Sequence, residues 1–236
     1  MFMLKKKNKK SNSLARKIIV ATNPKSINAE QYRTIRTNIN FSMPDQELRT
    51  LLVTSASPSE GKSTTASNIA TVFSQEGKKV LLVDADMRKP TSHYTFKLRN
   101  SHGLSSVLTR QCEVEEAIQY AEIENLYVLP SGPIPPNPAE LLASKNMNAL
   151  TNRLLEDFDL LVFDTPPILS VADAQIVSNK TDAAVLVINT GKSEKESAIK
   201  AKELLDAAKA NTIGVILNNY NIENSHYYYY YYGSEE

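Results

Sequence analysis

Six short apolar runs recur along the chain: Leu51–Val53, Val80–Val83, Leu126–Leu129, Leu160–Phe163, Ala183–Ile188 and Gly214–Leu217. Most are continuous rather than alternating, the pattern of parallel strands buried on both faces. Between them the spacing predicts helices at about 62–76, 139–157, 173–179 and 194–210. In the last of these Ile199, Leu204, Leu205 and Ala208 separate from Lys200, Lys202 and Glu203, as on an amphipathic helix. Ahead of the first run, residues 28–43 read as a helix with Pro44 as its stop signal. Strand–helix alternation of this kind predicts right-handed crossovers and an α/β fold with a doubly wound, mostly parallel sheet. Ligands of such sheets bind outside the carboxyl ends of the strands, so the chemistry is expected just after the apolar runs.

With 236 residues the chain fits one large α/β domain, placed at 27–218. Residues 1–26 read as a flexible basic leader, and 219–236 as a polar, tyrosine-rich tail. A net charge of +1 removes any global electrostatic case for nucleic acid, so none is expected as a partner. Locally, Lys5, Lys6, Lys7, Lys9 and Lys10 follow the apolar Met1–Leu4. That order is wrong for a signal peptide, and no later stretch is apolar and long enough to span a bilayer. The basic run reads as a solvated arm or as a contact for anionic lipid. Cys112 is the single cysteine, which excludes an internal disulfide and an iron–sulfur cluster and fits a reducing, cytoplasmic setting.

The first run leads into Thr54-Ser-Ala-Ser-Pro-Ser59-Glu60-Gly61-Lys62-Ser63-Thr64 and then a predicted helix. A loop at a helix N-terminus aims free N–H groups and the positive end of the helix dipole at phosphates. Gly61 allows close backbone approach, Lys62 reaches the β- and γ-phosphates, and Ser63 offers a hydroxyl to Mg2+. The motif's first glycine is replaced by Ala56, so the case for ATP rests on the strand–loop–helix context. Asp84 and Asp86 follow the second run two residues apart, on one side of an extended segment, and Asp164 ends the fourth. Carboxylates ending apolar strands are costly unless paired or bound to a cation. Asp164 is expected in the Mg2+ shell through water, as a Walker B aspartate. Of the other two, Asp84 is favoured as base and Asp86 as metal support, and either could instead cap a turn or pair with Arg88 or Lys89. Asn218 and Asn219, after the last run, are candidate adenine contacts. His93, His102 and His226 have no ligand spacing.

On these residues the chain resembles the bacterial tyrosine kinases of capsule and exopolysaccharide synthesis, in the form of a separate cytoplasmic subunit. Ala56–Thr64 matches the family's Walker A motif, Leu81–Arg88 its Walker A′ segment and Leu161–Asp164 its Walker B. Glu30, Arg33 and Arg36 match the family's oligomerisation motif, and the tail carries its tyrosine cluster. The resemblance implies a P-loop fold related to partitioning ATPases, with Asp84, Asp86 and Asp164 as base and metal ligands. It also implies a homo-oligomeric ring, phosphorylation between subunits, and a membrane activator whose cytoplasmic tail recruits the chain to the inner face of the membrane. A counteracting tyrosine phosphatase is expected with it. The stiff segment Ser131–Leu142, with Asn137 as N-cap and Pro138 at the first helical position, matches another family feature.

Tyr227, Tyr228, Tyr229, Tyr230, Tyr231 and Tyr232 form an unbroken run that neither a strand nor a helix would select for packing. A low-complexity, aggregation-prone tail is one reading. The other is a phosphorylation site, because a tail of this length extends up to about 60 Å and reaches a neighbouring copy. The competing function is a switch ATPase of the partitioning type; the stretch Ser57–Glu60 lacks the signature lysine many such proteins carry.

Overall fold

The computed structural model describes residues 15–44 and 46–220. Seven strands form one sheet: β1 Thr50–Ser55, β2 Val80–Asp84, β3 Gln119–Ile123, β4 Leu126–Leu129, β5 Leu160–Asp164, β6 Ala183–Asn189 and β7 Thr212–Asn218. Their order is β3-β4-β2-β5-β1-β6-β7, and only β3 runs antiparallel to its neighbour. The helices of six residues or more are α1 Ile27–Phe41, α2 Lys62–Ser74, α3 Pro138–Ala143, α4 Lys145–Asp157, α5 Asp173–Ser178 and α6 Lys195–Ala207.

In all the runs but that of β7, whose Val215 and Leu217 are exposed, the apolar continuity arises because alternate strand residues enter two different cores. Leu52, Leu81, Val83, Leu161, Phe163 and Leu186 pack on one face under α4, α5 and α6, against Leu150, Leu154, Val177 and Leu205. Leu51, Val53, Leu82, Val162 and Val185 pack on the other against Ile69 and Phe73 of α2 and Ile39 of α1. β5 lies between β1 and β2, and the register sets Asp84 opposite Asp164. The carboxyl ends of β1, β2 and β5 therefore meet at one edge.

Several local features differ from the sequence expectation. The predicted helix at 139–157 is two helices, because Ser144 is extended (φ −66°, ψ 158°) and its hydroxyl accepts from Met147 N–H to open α4. Asn137 sits at the N-cap of α3 with Pro138 after it, yet makes no capping bond; its amide donates to Glu140 instead, 2.6 Å. The early helix begins one residue sooner, with the Ser26 hydroxyl accepting from Ala29 N–H, and ends at Phe41. Part of the stretch expected as a flexible leader is docked. Val20 is fully buried, its N–H donates to Asn68 Oδ1 (3.2 Å), and Asn68 Nδ2 donates to both Lys17 O and Thr64 O (2.9 Å each). Among the described residues no helix is long and apolar enough to cross a membrane.

Candidate active site

The loop after β1 enters α2 at Gly61, which adopts φ +98°. A β-carbon there would stand 2.0 Å from Asn218 Nδ2, so the position combines a left-handed backbone with a close approach that only glycine tolerates. Ser59 also has positive φ, at 67°. The loop is braced by its own Glu60, whose carboxylate accepts from Ser57 N–H (2.8 Å), and by Asn218, whose amide donates to Glu60 O (2.9 Å). Asn218 thus abuts the phosphate loop from the end of β7.

Lys62 lies in the first turn of α2. Its Nζ is 2.9 Å from Asp86, 3.4 Å from Asp164 and 3.2 Å from Ser63 Oγ. Asp84, Asp86 and Asp164 are all buried. Both carboxylates of the Asp84–Asp86 pair accept backbone N–H bonds from the turn that follows β2, and neither pairs with Arg88. Asp84 Oδ2 accepts from Thr91 and Ser92 N–H (3.1 and 3.0 Å), while its Oδ1 receives only the longer bond from Asp86 N–H (3.3 Å). Asp86 accepts from Lys89 N–H (3.0 Å) besides pairing with Lys62. Arg88 turns away and grips the buried Asp173 at the start of α5 with two bonds of 2.9 and 3.0 Å. Sequence reasoning passed over Asp173, whose partner is 85 positions away.

Three acidic side chains face one ammonium in a dry setting. Burial pushes the Asp84 carboxyl up to about 7, and the charges of Asp164 and Asp86 add to it. Burial also raises Asp164, outweighing the opposing pull of Lys62 and of its bond with Ser63. For Lys62 burial would lower the pKa, but Asp164 and Asp86 overcome it and the value is raised. This excess of hard, acidic oxygen gives a divalent cation an electrostatic reason to bind. Among the described residues no group of three or more His, Cys, Asp or Glu side chains is disposed to hold a metal by itself. Magnesium takes one or two carboxylates and completes its shell with water and phosphate oxygens.

The expected oligomerisation residues lie on α1. Glu30 and Arg33 pair at 2.6 Å, and Arg33 also donates to Pro24 O (2.9 Å). Arg36 is engaged within the chain, donating to Val72 O (3.0 Å) and facing Glu76 at 3.6 Å. Ser59 is exposed and Thr64 half-buried at the loop. Tyr227 to Tyr232 lie outside the described residues, as does His226.

A glycine-bearing loop that opens a helix beside strand-end aspartates on a mostly parallel sheet defines a nucleotide-binding P-loop domain, and residues 49–197 match the AAA domain family. The chain is 55% identical over 216 residues to tyrosine-protein kinase YwqD of Bacillus subtilis (strain 168), covering 92% of this chain and 91% of that protein. Its structure is similar to the chimerical protein CapA2B2, with TM-score 0.84 and 44% identity over 87% of this chain and 92% of that one. It is also similar to the kinase domain of Escherichia coli tyrosine kinase ETK, with TM-score 0.83 and 33% identity over 92% and 84%. A more distant likeness is the septum site-determining protein MinD of Pyrococcus horikoshii OT3, complexed with Mg-ADP, with TM-score 0.62 and 25% identity over 73% and 71%. The chain belongs to the bacterial tyrosine-protein kinases.

Proposed function

We propose that the chain transfers the γ-phosphoryl group of ATP to Tyr227–Tyr232 of a neighbouring copy, and that this reaction controls capsule or exopolysaccharide synthesis. The observation that carries this reading is the convergence of Lys62, Asp84, Asp86 and Asp164 from three separate segments at one sheet edge. The tail follows β7, whose last residue touches the phosphate loop.

In this reading a tyrosine oxygen attacks the γ-phosphorus, the bond to the β,γ-bridging oxygen breaks, and ADP departs. Asp84 takes the phenolic proton through Oδ1, the oxygen with only one long bond. A carboxyl titrating at about 7 suits a base at neutral pH. Lys62 exchanges its carboxylate partners for the β- and γ-phosphates. Ser63, Asp86 and Asp164 are the residues that would hold magnesium, whose chemistry is to offset charge on the phosphate oxygens. Ser59, Glu60, Gly61 and Thr64 shape the phosphate cradle, and Asn218 flanks it on the side assigned to the adenine.

The pair of exposed Glu30 and half-buried Arg33 supports a role for α1 in a ring of subunits, with Arg36 holding that helix onto α2. A membrane protein with a cytoplasmic tail is the proposed activator, holding the chain at the inner face of the membrane, and a tyrosine phosphatase the proposed counterpart. The test is incubation with ATP and Mg2+, with and without membrane extract, followed by mass spectrometry of the tail. Phosphate on Tyr227–Tyr232 that disappears in Lys62→Met is the expected outcome. The likeness to MinD favours a second reading, a switch ATPase. Hydrolysis of ATP with no phosphotyrosine under either condition would select it.

A further inference from the structure

The Glu60 carboxylate is an unusual component for an anion-binding loop, since it is buried, 3% exposed, within the segment that must receive phosphates. One oxygen accepts from Ser57 N–H, as described above. The other, Oε1, accepts a short hydrogen bond from the Ser193 hydroxyl. Ser193 lies 133 positions away, in the turn after β6, and is half-buried. Its Oγ in turn accepts from Asn189 N–H (2.9 Å), and its own N–H donates to Asn189 O (2.9 Å). Asn189 is the last residue of β6 and is itself buried. The result is an unbroken relay: Asn189 N–H to Ser193 Oγ–H to Glu60 carboxylate to Ser57 N–H.

The relay has a physical task. The loop contains Ser59 at φ 67°, a left-handed conformation that serine adopts at a cost, and Gly61 at φ +98°. Such a loop persists only when its surroundings over-determine it. Holding Glu60 against Ser193 also fixes its negative charge on the β6 side of the loop.

We infer that Ser193 is a positioning residue for nucleotide binding, acting through Glu60 to fix the phosphate loop in its anion-binding shape. It does not contact the phosphates; it sets the conformation of the residues that do. The inference rests on the reading of residues 56–64 as a nucleotide site, and not on the identity of the phosphoryl acceptor. Without the Ser193 hydroxyl, a buried carboxylate oxygen loses its donor, and such losses are expensive.

The test measures the Kd of fluorescent ADP with Mg2+ for the full chain, alongside thermal melting. Ser193→Ala should weaken binding on the order of tenfold, corresponding to about 1.4 kcal/mol, and Ser193→Thr should restore it to within twofold of wild type. Glu60→Gln preserves volume and should weaken binding too, with Ser193→Ala adding little on top of it. Nucleotide affinity unchanged in Ser193→Ala, even with a lowered Tm, overturns the inference, because a merely structural serine would behave that way. Additivity of the two variants, or failure of threonine to restore binding, overturns it as well. Absence of binding by the wild type would instead remove the nucleotide reading underneath, and the inference with it.

Discussion

At Gly61 the positive φ and the nearness of the Asn218 amide act separately, and a variant can tell them apart. Gly61→Ala should lose nucleotide binding and about 1–2 kcal/mol of stability. Adding Asn218→Ala should recover the part due to the clash and leave the backbone strain, as read by urea denaturation. Asp84 offers a pH signature. Its carboxyl titrates at about 7 when folded, against an ordinary value of 3.8. Between those values the folded chain binds more protons than the unfolded one, so this residue's contribution to stability falls as pH rises from about 4 to about 7. Asp84→Asn should therefore gain relative to wild type between pH 5 and pH 8, in buffer without nucleotide or magnesium; a constant difference across that range would refute the assignment. These residues were legible as a set, since Lys62, Ser63 and the three aspartates each follow an apolar run. Ser193 and Asp173 were not, because hydrogen bonds spanning 133 and 85 positions leave no trace in local spacing.

Most of the strands found in advance are buried on both faces; β7 was found from Gly214–Leu217 although Val215 and Leu217 are exposed. β1, β2 and β5 are buried at every position, which forces contiguous apolar sequence. β3 escaped because its sequence, Gln-Tyr-Ala-Glu-Ile, contains no contiguous apolar run, with Tyr120 half exposed and Ala121 its one buried residue. The break between α3 and α4 escaped because helix formers continue on both sides of Ser144, and only its hydroxyl marks a new start. Ser144→Ala should cost about 1 kcal/mol through loss of that cap, seen as a lower urea midpoint with unchanged slope. Phe73, fully buried where α2 meets the sheet, carries more. Phe73→Ala should cost about 3–5 kcal/mol, measured the same way.

For the molecule as a whole, the proposed phosphorylation of the tail has an electrostatic consequence. Each phosphotyrosine adds about −1.5 to −2 charges at neutral pH, so six of them would move the chain from a net +1 to roughly −8 to −11. Repulsion on that scale should dissolve the proposed ring of subunits. Light scattering should show a lower mass for the fully phosphorylated protein, partly restored by salt; an unchanged mass would count against the idea. The Asn68 carboxamide bears on how the chain can be shortened. It ties Lys17 and Val20 to Thr64, one residue beyond Ser63, so the first helix of the nucleotide site ends its packing in the amino-terminal stretch. A trimmed version starting near residue 15 keeps that tie, whereas one starting at the α1 helix would leave an amide in the P-loop helix facing solvent. Anyone cutting the protein down for crystallisation or for a minimal kinase should place the boundary ahead of Arg16.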